Sequence, residues 1–201
     1  MRYLTLMVCG LALAAAQQLH AQEPRPEGSG SYLGATIGNS VLQMRYLAPA
    51  PVNPGGTTTD LDYGLLLSED RDIIASAALM FHTDLNLVPR LTVGVGPQAY
   101  VALLNAVQKT DVAAIALGVD ARYVILPDWG VAAYGSAFYS PGVLTFGNAH
   151  NLYDFQAGGE IRFTERLVGQ LGYRWLKFTL VGEPNDRVGN EIFAGLRWRM
   201  N

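Results

Sequence analysis

Val188-Gly-Asn-Glu-Ile-Phe-Ala-Gly-Leu-Arg-Trp-Arg-Met200 stands next to the last residue, Asn201. Its reading decides the fold. From Ala194 onward the residues alternate, with Ala194, Leu196, Trp198 and Met200 on one face and Gly195, Arg197 and Arg199 on the other. Side chains on a strand point to opposite faces in turn, so this is a strand with an apolar and a cationic side. A water-soluble sheet would bury the apolar side in a core. A membrane barrel would turn it to lipid and hold the arginines in its lumen.

Working outward, the same alternation recurs. Leu91 to Leu104 places Leu91, Val93, Val95, Pro97, Ala99, Val101 and Leu103 against Thr92, Gly94, Gly96, Gln98 and Tyr100. Pro97 lacks a backbone N–H and predicts a bulge or an edge-like break. Val112 to Ile125 sets Ile115, Leu117, Val119 and Tyr123 against Gly118, Asp120 and Arg122. Further strands are expected at Asp60 to Leu67, Asp72 to Phe81, Trp129 to Tyr139, Leu152 to Phe163 and Leu167 to Val181. Two shorter pieces, Tyr32 to Gly38 and Val41 to Leu47, precede them. Ten strands are expected, or eight if the short pieces do not count. Tight turns at Leu126 to Asp128 and Thr164 to Arg166 alternate with longer polar loops at Ser140 to Asn151 and Gly182 to Arg187. Short inner turns and longer outer loops would put the C-terminus on the periplasmic side.

The 201 residues suffice for one domain. Met1-Arg2, an apolar run from Leu4 to Ala16 and a polar stretch ending at Ala21 read as a secretory signal peptide over 1–21. That run is too short for a membrane helix, and Leu6-Met7-Val8 before Cys9 lacks the small residues of a lipoprotein box. Residues 22–31, rich in Pro and Gly, form a lead-in, and 32–201 the barrel. Cys9, the single cysteine, would leave with the signal, which excludes disulfides, a thiol nucleophile and cysteine metal sites from the rest. Losing Arg2 takes the formal net charge from −3 to −4. No basic stripe points to nucleic acid, and no later apolar run could cross a membrane as a helix.

Val112 to Ile125 and Leu167 to Val181 exceed the roughly 5–6 residues of a mean strand and meet the roughly 9–11 that a tilted membrane strand needs. Tyr123, Tyr173, Trp175 and Trp198 lie on apolar faces, as an aromatic girdle would. The opposite faces carry Asp120, Arg122, Glu160, Arg162, Arg174, Arg197 and Arg199 among glycines and alanines. Small residues with paired charges suit the crowded lumen of a small barrel. Unpaired arginines would be costly there, so Asp120 and Glu160 are expected to meet them. The fold expected is all-β: a transmembrane antiparallel up-and-down β-barrel in the bacterial outer membrane. The alternative is a soluble periplasmic β-barrel that binds a small ligand.

Several segments in order resemble the YfaZ family of outer-membrane proteins. They are Leu65-Leu66-Leu67-Ser68-Glu69-Asp70 with Ala75-Ser76-Ala77, Leu91-Thr92-Val93-Gly94-Val95-Gly96, Leu117-Gly118-Val119-Asp120-Ala121-Arg122-Tyr123, Ser140-Pro141-Gly142-Val143-Leu144-Thr145-Phe146-Gly147 and Gly172-Tyr173-Arg174. The resemblance implies a location and a barrel. It brings no catalytic residue.

His82, beside Thr83 and Asp84, is expected in a surface turn. His150 lies in a long loop with Ser140, near Asp154, which permits a rim-site lipid-modifying enzyme. No nucleophile motif or fixed spacing supports it, and the histidines lack carboxylates at metal-ligand spacing. Neither a catalytic residue, a cofactor nor a metal is expected. The remaining readings are a charge-plugged barrel with a structural or interaction role and a narrow pore for small solutes. Expected partners are outer-membrane lipid and lipopolysaccharide, although no loop carries a basic cluster. The assembly machinery would read Phe193-x-Gly195-x-x-Trp198-x-Met200, where Met200 stands in place of the usual aromatic. A monomer is expected.

Overall fold

The computed structural model describes residues 30–51, 57–85, 87–105, 110–180 and 186–200. The expected signal peptide, 1–21, and residues 22–29 of the lead-in lie outside them. Each long alternating stretch is a strand. They are β1 (Tyr32–Gly38), β2 (Val41–Pro49), β3 (Thr58–Ser68), β4 (Ile73–Asp84), β5 (Leu91–Leu104), β6 (Thr110–Leu126) and β7 (Val131–Ser140), then a short β8 (Thr145–Gly147), β9 (Ala149–Arg162), β10 (Leu167–Leu180) and β11 (Asp186–Arg199).

Ten of these form a closed antiparallel ring. Successive strands pair, β7 pairs with β9, and β1 pairs with both β2 and β11. Leu33 opposes Trp198 and Thr36 opposes Gly195 across that closing seam. A closed ring satisfies the backbone N–H and C=O groups that an open edge would leave unpaired.

Closure sorts the side chains. On β11, Ile192, Leu196 and Trp198 are exposed outside, whereas Glu191 and Phe193 are buried inside. Each of the ten strands shows at least one large exposed apolar residue on its outer face, among them Leu33, Met44, Leu65, Ile73 and Val95. Leu117 is 63% and Leu171 62% exposed, so the outward face is apolar at mid-wall as well as at its rims.

Pro97 interrupts one ladder without slipping it. It stays paired with Leu117 of β6, while the pairing with β4 skips from Gln98–Ala78 to Val95–Phe81 at unchanged register. Pro97 offers no N–H to β4, and Gly96 leaves room for the Leu79 carbonyl where a Cβ would collide with it. Of the expected bulge or edge-like break, the break is what forms, as a gap in the hydrogen bonds.

The expected alternation of short and long loops holds only in the second half of the chain. At the end opposite the termini, β1 and β2 are joined by Asn39-Ser40 alone, and at the terminal end residues 50–57 link β2 to β3. The two-residue turn is held by the neighbouring strand β11. Ser40 donates its N–H (2.9 Å) and hydroxyl (3.1 Å) to Glu191 Oε2.

The expected loop at Ser140 to Asn151 is partly regular. A 3-10 turn at Gly142–Leu144 leads into β8, which pairs with Val112, Ala113 and Ala114 of β6. β6 outruns β7, and β8 covers the surplus. Gly147 makes the corner at φ 90°, with the Asp111 carbonyl where a Cβ would have to sit; a side chain would be strained there.

Candidate functional site

The lumen has two storeys. In the half away from the termini most of the inward side chains are apolar, with Glu191 beneath Ser40 and the buried Ser140 as polar exceptions. Leu176, Phe178 and Leu180 of β10 meet Leu152, Tyr100, Leu104, Val112, Leu66 and Ile74 in one buried cluster. Leu152, Leu176 and Phe178 have no exposed surface. Ten strands leave an interior about as wide as the side chains that fill it, and large residues from β10 pack against alanines 102, 114 and 116 from β5 and β6.

Below that plug the inward residues become ionic, and each ionic group there comes from the alternation of its own strand. Asp154 of β9 accepts the Tyr100 hydroxyl at 2.9 Å and Arg174 Nη2 at 2.8 Å, with both charged side chains under 10% exposed. This cluster forms the floor of the plug. Nearer the terminal mouth, Glu160 accepts Arg122 and Arg197 together, Arg197 Nη2 lying 2.9 Å from Oε2. The Glu160 side chain is 2% exposed, while the two arginines are open to the vestibule. The Arg197 guanidinium also lies 5.1 Å from the centre of the Tyr32 ring, in cation–π range. Arg45 of β2 pairs with Asp62 of β3. Beside it His82 of β4 stands between two carboxylates, Nε2 3.0 Å from Asp120 and Nδ1 3.1 Å from Asp60 Oδ2, the latter off the hydrogen-bond direction.

Several sequence expectations change here. Asp120 meets His82, not an arginine. β4 continues to Asp84, so His82 lies in the lumen and not in a surface turn. Arg162 is exposed beside the turn at Gly130, to which its N–H donates at 3.1 Å, and Arg199 lies half-buried at the mouth beside Gly30. Asp154, Asp60, Asp62 and Arg45 join the charged lumen without having been expected there. Each alternates with outward Tyr or Leu neighbours, a signal that the sequence does carry.

The girdle residues separate as well. Tyr123 and Trp198 lie near the terminal rim. Trp175 lies near the opposite rim, its ring 6.1 Å from Tyr153, which in turn is 4.9 Å from Tyr139. Tyr173 sits at mid-strand, its hydroxyl donating to Asn190 of β11.

The rim residues that permitted a hydrolase are apart. The Ser140 hydroxyl is buried and donates to Thr145 Oγ1 at 3.0 Å, whose own hydroxyl donates to the Pro141 carbonyl. Asp154 is committed to Arg174 and Tyr100, and His150 is exposed with no hydrogen bond to either. No group of three or more metal-ligating side chains stands together among the described residues.

No family model matches the chain, and no curated protein matches it. Among solved structures, the backbone is similar to one titled a bacterial polysaccharide outer membrane secretin, at 14% identity and a TM-score of 0.47, over 83% of this chain and 58% of the other. It is also similar to the alcaligin outer membrane receptor FauA from Bordetella pertussis, at 14% identity and a TM-score of 0.32, over 90% of this chain and 42% of the other.

Proposed function

We propose that this protein is a small integral outer-membrane β-barrel, plugged in its outer half, with a structural or interaction role and no enzymatic one. The observation that carries the reading is the belt of exposed large apolar side chains on all ten strands. In water, contiguous apolar patches beyond a few hundred Å² are rare on a monomer. Facing hydrocarbon, the same residues are in their solvent, and the closed ladder, apart from the gap beside Pro97, pairs its backbone groups away from lipid. The resemblance to the YfaZ family agrees with such a barrel and adds no activity to it.

The termini would face the periplasm and the apolar storey the cell exterior. The lumen is then a periplasmic vestibule that ends on the Asp154–Arg174–Tyr100 floor. A narrow pore is the second reading, and the dry packing of Leu152, Leu176 and Phe178 weighs against it. Outer-membrane fractionation with boiled and unboiled gel samples tests the proposal. A membrane fraction with a heat-dependent shift is expected. Release as a soluble periplasmic protein with no shift would instead make Leu196 and Trp198 part of an interface or ligand site. Steady single-channel steps in planar bilayers would overturn the plug.

A further inference from the structure

The outer wall is not uniform. Over β6, β7, β9 and β10 it is indented by a groove of about 540 Å³, within the roughly 300–1,000 Å³ of ligand pockets. Its floor is Ala137. Leu117 and Val119 bound it on one side, Phe155 and Trp175 on the other. The register continues the depression down the wall. Below Ala137 come Gly135, Ala121 and Ala157 in one cross-strand row, then Ala133 and Gly159 in the next. At the upper end Tyr139, Tyr153 and Trp175 close it as a packed aromatic arch.

Lys177 lies in the row of that arch. It pairs in register with Tyr153, which pairs with Tyr139. Lys177 is an outward-facing cation whose in-register partner on β11 is a second cation, Arg187, and no carboxylate among the described side chains lies within ion-pair distance of Lys177. The arch also marks a boundary. Outward side chains beyond it on β10 and β9 are polar, Thr179 and Asn151, while Phe178 and Leu180 turn inward. Aromatics at such a boundary occupy the headgroup level, and a lysine there extends an apolar stem with its ammonium in the polar layer.

We infer that this groove holds one acyl chain of lipid A, a phosphate-bearing lipid of the outer leaflet, with its phosphate on Lys177. The inference rests on the membrane reading above and on its orientation. Charge complementarity selects the headgroup, because an ammonium with no described carboxylate partner, set beside an apolar groove, matches a phosphate above an acyl chain. The missing side-chain volume along Ala133, Gly135 and Ala137 makes room for the chain against the wall.

The test uses the full chain in phosphatidylcholine vesicles. Trp129→Phe and Trp198→Phe leave Trp175 as the sole indole, at the groove. Bisphosphorylated lipid A, titrated in, is expected to shift the Trp175 emission saturably. Lys177→Gln should weaken the midpoint by about fivefold, Lys177→Arg should retain it, and lipid A stripped of phosphate should behave as Lys177→Gln does. Ala137→Phe should abolish the shift by filling the groove. Equal midpoints for the parent and Lys177→Gln, or for lipid A and phosphatidylglycerol, would overturn the inference, as would a silent titration. A heat-shift gel on the same vesicles separates the failures. A lost shift sinks the barrel reading, and a retained shift with a silent titration sinks only the lipid site.

Discussion

Replacing Asp154 by Ala probes the floor of the plug. The carboxylate is the described partner of both the Tyr100 hydroxyl and Arg174 Nη2. Arg174 Nε and Nη1 are buried and find no other partner among the described residues. Removing one member of a buried ion pair costs about 3–5 kcal/mol because the other charge stays behind, and orphaning a buried hydroxyl adds about 1–3 kcal/mol. These terms overlap, so about 4 kcal/mol is expected for Asp154→Ala, a drop of roughly a thousandfold in the folding equilibrium. Arg174→Leu should cost less than Asp154→Ala, since it removes the larger desolvated charge and leaves Asp154 bonded to Tyr100. The double variant should cost clearly less than the sum of the singles. Urea unfolding in lipid vesicles, followed by tryptophan emission, supplies each free energy, with heat-shift gels as a second probe. A loss under about 1 kcal/mol for Asp154→Ala, or a cycle additive to within about 0.5 kcal/mol, would refute the reasoning.

Three further outcomes are expected. Leu171→Arg, at mid-wall, should cost about 2–4 kcal/mol in the same unfolding assay and Trp198→Arg, near the rim, about 0–1 kcal/mol; equal costs would place both outside lipid. Phe178→Ala should cost about 3–5 kcal/mol through the cavity it leaves. Combining it with Leu152→Ala and Leu176→Ala should bring small conductance steps to a silent barrel, and a triple variant as silent as the parent would move the seal elsewhere. Gly147→Ala should lose the amide protection of β8 in hydrogen exchange while the heat shift stays intact, because the φ of 90° costs an L-residue about 1–2 kcal/mol. Protection left unchanged would show that the corner tolerates a Cβ.

The wall is legible in the sequence, since a period of two forces a face on every residue of a paired strand. Leu196 and Trp198 outside and Arg197 inside follow from alternation alone, and ten expected strands become the ten strands of the ring. Ion-pair partners are less legible because register and closure set them over long separations. Tyr100 and Asp154 are 54 positions apart, His82 and Asp120 are 38 apart. His82 is misread for a local reason: Thr83-Asp84 look like a turn, and only pairing with β5 extends β4 through them. The plug escapes notice because apolar residues inside a barrel run against the pattern of a polar lumen. On β10 the faces exchange character after Trp175, with Leu176, Phe178 and Leu180 inside and Lys177 and Thr179 outside. Strand ends that stand clear of hydrocarbon need an inner core, as soluble sheets do. Loop lengths mislead for a similar reason, since Glu191, 151 positions away in sequence, steadies the turn at Ser40.

Spin labels on single cysteines test the central claim most directly. Cys9 is replaced by Ser, and labels are placed at Leu117, Leu171 and Leu196 outside and at Gln170 inside, in phosphatidylcholine vesicles. Collision with oxygen, which concentrates in hydrocarbon, is compared with collision with a water-soluble nickel chelate. The wall faces lipid if the three outer sites are oxygen-accessible and shielded from nickel, with Leu171 deepest, while Gln170 shows the reverse order. High nickel accessibility at Leu117, Leu171 and Leu196 would put that face in water and contradict the membrane barrel.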